Sequence, residues 1–209
     1  MKLLFTLLFP MILSGCSVFG DSGVKNAPYQ LLQSDQLQKI EVRNYESLVL
    51  VSADMSTDGM NSAFRNLFRY ITGDNEGATE IAMTAPVLID ESETLSKGRE
   101  IAMTAPVLMS ERSEQQVMSF VMPAEYTIES TPKPTNPNVW ITEIKDYKVV
   151  VIQFSGLLSD SNVERQTEIL NRWVVENGYT AISEPINAAY NGPFTIPWFR
   201  RNEVLIEVM

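Results

Sequence analysis

Few residues in this sequence can carry chemistry. No histidine occurs among its 209 residues. That absence removes a Ser-His-Asp triad, a His-assisted thiol and any zinc site built on imidazole. No glycine-rich phosphate loop occurs either. Three patterns remain. Cys16 is the single cysteine and closes the tetrapeptide LSGC. Arg65 and Arg69 are four apart, so a helix would place both on one face. Met83 and Met103 hold the same place in the nonamer EIAMTAPVL, which fills residues 80–88 and returns unchanged at 100–108. Hydrolytic and metal-centred chemistry has almost no support. Lipid attachment, charge pairing with an anion and apolar contact do.

The chain start assigns the cysteine. Lys2 precedes an almost unbroken apolar run over residues 3–13. That run is too short to span a bilayer, which takes about 20 apolar residues, and it fits a secretory signal. LSGC then resembles a bacterial lipobox, in which the cysteine is lipidated and becomes the first mature residue. The alternative is an ordinary signal peptide with a stray cysteine. Ser17, and not Asp, follows the cysteine. By the enterobacterial sorting rule this resemblance implies the outer membrane rather than inner-membrane retention, and a location facing the periplasm is the expectation. Residues 1–15 are expected to be the signal peptide, and residues 16–27 the lipidated cysteine with a small, polar, flexible tether. Residues 28–209 form one domain, long enough for one good core.

Removing residues 1–15 takes only Lys2 from the 16 basic residues, leaving 15 against 26 acidic ones, a mature charge of −11. Such a charge argues against nucleic acid as partner and against docking on anionic lipid through a basic patch. Membrane attachment through the lipid anchor alone, and a monomeric state, are the expectations.

The elements that must position these residues fall into two similar halves. Residues 39–55 read as two strands meeting near Tyr45-Glu46. A helix follows, with Met60, Ala63, Phe64, Leu67, Phe68 and Ile71 as its apolar stripe. Ser56, Thr57 or Asp58 is the candidate N-cap and Gly73 the stop. Residues 139–156 again read as two strands, meeting near Tyr147-Lys148. A second helix carries a capping-box pattern at Ser161 and Glu164, a stripe of Val163, Leu170, Trp173 and Val174, and Gly178 as its end. Tyr45 and Tyr147 lie 102 residues apart. The shared order implies a duplication and a pseudo-two-fold α+β domain. The proline-rich stretch at 130–138 reads as a stiff surface connector. In each nonamer the proline, Pro86 or Pro106, must sit at an edge, a bulge or a strand end. Met83 and Met103 are read either as core or as adaptable contacts for a flat ligand.

KIEVRNYE, the two copies of MTAPV, FVMPAEYT, PKPTNPNV and above all AAYNGPFTIPWFRRNEVLIEV occur here in order. In these the chain resembles the SOUL haem-binding family over roughly residues 28–208. The duplicated IAMTAPV looks like its bacterial branch. The resemblance implies a distorted antiparallel β-barrel with two helices, built from two pseudo-symmetric halves and similar to bacterial effector-binding domains. It also implies binding of haem or another tetrapyrrole; no enzymatic reaction is expected, because so few residues here can carry chemistry. A histidine iron ligand, proposed for some members, carries over to no position here. Methionine, tyrosine and lysine remain as iron ligands.

A tetrapyrrole then needs an apolar face for its ring and cations for its propionates. Some relatives use a groove beside the first helix, which points to Arg65, Arg69 and Phe68, with Met83 and Met103 as ring contacts. A solvated cationic face is the competing reading of the two arginines. Arg200 and Arg201, in the family-specific RRNEV, are expected to clamp the last strand through Glu203 or a nearby carbonyl. Three functions stay open: a lipid-anchored module binding haem or a similar flat apolar ligand, a tetrapyrrole-modifying enzyme, and an envelope interaction protein that keeps the fold without binding haem.

Overall fold

The computed structural model describes residues 25–55, 59–77, 105–112, 115–192 and 194–209. Along them run β1 (Gln30–Asp35), β2 (Ile40–Asp54), α1 (Gly59–Ile71), β3 (Val107–Arg112) and β4 (Gln115–Val121). Then follow β5 (Val139–Phe154), α2 (Asp160–Glu176), β6 (Ile186–Ala189) and β7 (Asn202–Glu207), with a short 3-10 turn at Pro197–Phe199. All strand pairs are antiparallel, in the order β1-β2-β4-β3-β6-β7-β5, and β2 also pairs with β5. That last pairing closes six strands into a barrel and leaves β1 outside on the flank of β2.

The duplication is visible in the ladders. The unit β2-α1-β3-β4 repeats as β5-α2-β6-β7. β2 pairs with β4 as β5 pairs with β7, and the β3-β4 hairpin matches the β6-β7 hairpin. The two units meet through β2-β5 and β3-β6.

Each expected strand pair at residues 39–55 and 139–156 is one long strand, of 15 and 16 residues. The apparent break is a change of face. Ile40 and Val42 pack under α2, whereas Val49, Val51 and Ala53 pack under α1. Tyr45, Leu48 and Leu50 face the barrel interior. β5 does the same in reverse: Val139 packs under α1, Tyr147, Val149 and Val151 face inward, and Val150 and Ile152 lie under α2. Strand side chains alternate with period two, so one residue must turn over to switch faces. On β5 that residue is Asp146, at φ 51, a region Asp tolerates better than most side chains. Pairing resumes unshifted on either side, Tyr45 with Tyr147 and Ser47 with Lys145.

The core therefore has three layers: the interior and one layer beneath each helix. A fully buried Leu or Ile contributes roughly 1.5–3 kcal/mol, and Leu67 under α1 and Leu170 under α2 are both fully buried. α2 follows its expected stripe, with Leu170, Trp173 and Val174 buried and Val163 packed against them. Its N-cap is Ser159 without a side-chain bond, not the Ser161 box. The candidate caps of α1 at 56–58 lie outside the described residues. The proline connector is docked rather than free. Its Lys133 carbonyl accepts from the Glu76 amide at 2.8 Å, and its Pro132 carbonyl accepts from the Tyr70 hydroxyl at 2.6 Å.

Candidate functional site

α1 buries Ala63, Leu67, Tyr70 and Ile71. The sequence stripe had Phe64 and Phe68 on that buried face and omitted Tyr70. Tyr70 takes a place in the core because its hydroxyl finds the Pro132 carbonyl. Phe64 and Phe68 instead sit at the border of the buried arc, 43% and 42% exposed. Their rings stack, with centroids 6.1 Å apart and planes inclined by 16°. Phe64 also sets its edge against Phe120 of β4, centroids 5.6 Å apart at 67°. That contact fixes the platform to the sheet.

At 100° per residue, Arg65 and Arg69 follow next around the helix, toward solvent. Both are exposed, and among the described residues neither makes an ion pair. Met60 extends the aromatic row at i, i+4, i+8 and is 57% exposed. At this end the row meets a cleft of about 380 Å³ lined by Met55, Met60, Met109, Leu158 and Val163, with Asp160 and Glu184 among its polar lining. The site thus offers a flat apolar strip, soft methionines at one end and two cations alongside. Met83 and Met103 lie outside the described residues, as does Cys16. Of the second nonamer only its last four residues are described, and there Pro106 stands immediately before β3.

Two other cavities compete. The barrel interior holds about 270 Å³ between Leu50, Ser52, Leu108, Ser119, Trp140, Thr142, Tyr147 and Ile186. Ser52 and Ser119 share a hydrogen bond of 2.8 Å. This space falls below the ~300–1,000 Å³ usual for ligand pockets, and a tetrapyrrole does not fit within it. A cleft of about 410 Å³ beside Tyr29, Glu46, Leu48, Met122 and Tyr126 is larger. Its lining contains no Lys or Arg, so it has no cation for a ligand's carboxylates.

Inside one end of the barrel lies a group that sequence reading caught only in part. Glu203 is fully buried and accepts from Arg43 Nη1 at 2.8 Å, Arg43 Nη2 at 3.0 Å, Arg201 Nη2 at 2.7 Å and the Tyr190 hydroxyl at 2.6 Å. Arg43 also donates to Glu41 at 2.7 Å and lies under the Tyr29 ring. Arg200 donates its Nε to the Thr195 carbonyl at 2.8 Å. Burial pushes the Glu203 carboxyl up, but hydrogen bonds and charge from Arg43, with Arg201 and Tyr190, hold it below the usual carboxylate range. Burial raises the Tyr190 hydroxyl well above the ordinary tyrosine value, and the Glu203 charge adds to it. Both Glu203 oxygens and the Tyr190 hydroxyl are engaged with protein, so the cluster joins β2 to β7 as a structural clamp. Arg43, in KIEVRNYE, was legible only as an arginine within an alternating strand.

The family model for the SOUL heme-binding protein matches residues 24–97 and 89–207, which together take in every strand and both helices. The chain belongs to the SOUL heme-binding protein family. No curated protein matches it in sequence. Several solved structures share the fold. The C-terminal domain of EcmrR is 13% identical, with 87% of this chain and 98% of that chain covered and a TM-score of 0.53. A hydrolase from Listeria innocua is 13% identical, with 85% and 94% covered and a TM-score of 0.52. An uncharacterized conserved protein from Listeria innocua is 12% identical, with 82% and 93% covered and a TM-score of 0.54. At these identities the likeness is one of fold alone. Among the described residues of this SOUL-family chain, no group of three or more Cys, Asp or Glu side chains is placed to hold a metal ion, and no helix is long and apolar enough to cross a membrane.

Proposed function

We propose that this protein is a lipid-anchored, non-enzymatic binding protein of the bacterial outer membrane whose ligand is haem or a related tetrapyrrole. The ring would lie on Phe64 and Phe68, its carboxylates toward Arg65 and Arg69. The stacked, half-exposed phenylalanine pair carries this reading. A soluble domain gains nothing by holding two parallel aromatic rings in water, and a flat ligand would cover both. Family membership supports the class of ligand. The residues fit the macrocycle and its carboxylates, but the chain has no imidazole for the iron. Haem would bring its redox and gas-binding chemistry; the protein supplies apolar cover and charge neutralisation. The LSGC motif and the acidic mature chain support anchoring through Cys16.

Absorbance and tryptophan-quenching titrations with haem test the site. The wild type should bind saturably, on the order of micromolar. Phe68→Ala, which leaves the Phe64–Phe120 contact intact, should bind at least about fivefold more weakly with an unchanged unfolding midpoint. Equal binding by Phe68→Ala would move the site elsewhere.

A further inference from the structure

The segment joining β6 to β7 is well built yet turns its largest apolar side chains outward. The Thr195 amide donates to the Gly192 carbonyl at 3.2 Å, and Arg200 Nε donates to the Thr195 carbonyl at 2.8 Å. The Gly156 amide donates to the Pro197 carbonyl at 2.8 Å, and Asn202 Nδ2 donates to the Gly156 carbonyl at 3.0 Å. Thr195 itself is buried. On this fixed backbone Phe194 is 86% exposed and Trp198 is 74% exposed, while Leu157, next to Gly156, is 53% exposed. Grouped exposed apolar side chains on an ordered surface mark a contact with something.

The strand registers place this segment relative to the chain's amino-terminal approach. Ala27 N–H donates to the Ala105 carbonyl, and the Ala105 N–H donates to the Lys25 carbonyl, so the chain's N-terminal approach is paired beside Ala105. Val107 pairs with Ala189, and Ala189 pairs with Asn202. The amino-terminal approach and the foot of the Phe194–Trp198 segment therefore share one end of the barrel. From Cys16 to Lys25 the chain reaches at most about 30 Å at full extension, at ~3.3–3.6 Å per residue. An acyl chain on Cys16 would hold this end of the domain within that reach of its bilayer. Trp and Phe settle at the lipid–water interface, and insertion of apolar side chains needs no basic patch. A mature charge of −11, 15 basic against 26 acidic residues, leaves apolar insertion as the available mode.

We infer that Phe194, Trp198 and Leu157 form a membrane-contact platform that seats the barrel on the lipid surface and fixes its orientation. This rests on the reading of Cys16 as the lipidated residue. The platform shares no residue with the Phe64–Phe68 pair or the two arginines of α1.

The test uses the chain from residue 16 onward with Cys16→Ser, made without lipid, so that the platform acts alone. It is mixed with neutral phosphatidylcholine–phosphatidylethanolamine vesicles carrying brominated acyl chains. Tryptophan emission should be quenched, and Trp198→Phe should remove most of that quenching. The Phe194→Ser/Trp198→Ser pair should co-sediment with vesicles at least about tenfold less, with an unchanged unfolding midpoint. Quenching that persists in Trp198→Phe, or equal sedimentation of the double variant, would overturn the platform. Mass analysis of the wild-type N-terminus tests the anchor separately. An unacylated Cys16 with vesicle quenching intact would overturn the anchor and support the platform.

Discussion

Tyr45 and Tyr147 are directly paired across β2 and β5, with ring centroids 6.3 Å apart and planes inclined by 36°. They mark the point where both long strands exchange one helix for the other, and they relate the two halves of the duplication. Both are buried. Replacing Tyr45 with Ala should open a cavity at this junction and cost about 3 kcal/mol of stability. Chemical denaturation followed by circular dichroism measures it. A loss below about 1 kcal/mol would mean that the junction is held elsewhere.

The Arg43–Glu203 pair should govern acid stability. The folded Glu203 carboxyl titrates below the ordinary carboxylate value, so it stabilises the fold above the unfolded value and loses that contribution as pH falls from about 4 downward. Glu203→Gln leaves the buried Arg43 with only the half-buried Glu41 as counter-charge, which should cost about 3 kcal/mol at pH 7. The variant should also lose part of the acid-induced fall. Unfolding midpoints from pH 3 to 7 for both proteins check this, and parallel pH curves would contradict it.

Arg65 and Arg69 are both exposed, so changing both to Ala should leave the fold alone. Haem affinity should fall roughly five- to thirtyfold, each surface pair contributing up to about 1 kcal/mol. Raising the salt concentration should weaken the wild type in the same direction. A salt-insensitive affinity, unchanged in the double variant, would remove the arginines from the site.

Because no histidine exists, the ring and its carboxylates must supply most of the affinity. Iron-free protoporphyrin should bind within about tenfold of haem, a gap below roughly 1.4 kcal/mol. The ferric complex should lack the sharp low-spin spectrum of a bis-histidine site. Parallel quenching titrations compare the two, and haem binding a hundredfold tighter would reveal an iron ligand among Tyr, Met or Lys.

Cys16→Ala should release the protein from the outer membrane or leave an uncleaved precursor. Fractionation of cells with both forms reads this directly. Wild-type protein free in the periplasm would contradict anchoring.

Sequence alone determined the class and the duplication, because both rest on local periodicity and repeated order. The 102-residue spacing of Tyr45 and Tyr147, the stripe of α2 and the RRNEV motif all correspond to structure: Tyr45 faces Tyr147, Leu170 and Trp173 are buried, and Arg201 does bind Glu203. Periodicity is a one-dimensional property, and where one face packs on one layer it is enough.

Tertiary structure decided the rest. A strand that passes from beneath one helix to beneath the other breaks its own alternation, so β2 and β5 read as two strands each when they are one. A helix at the side of a closed sheet buries an arc set by its neighbours. Tyr70 went into the core through its bond to Pro132, while Phe64 and Phe68, as apolar as any core residue, were left at the rim. Arg43 and Glu203 are 160 residues apart, and only barrel closure brings them together. The candidate ligand face and the outward aromatic segment at Phe194 and Trp198 have the same origin: apolar residues that the closed barrel has no room to bury.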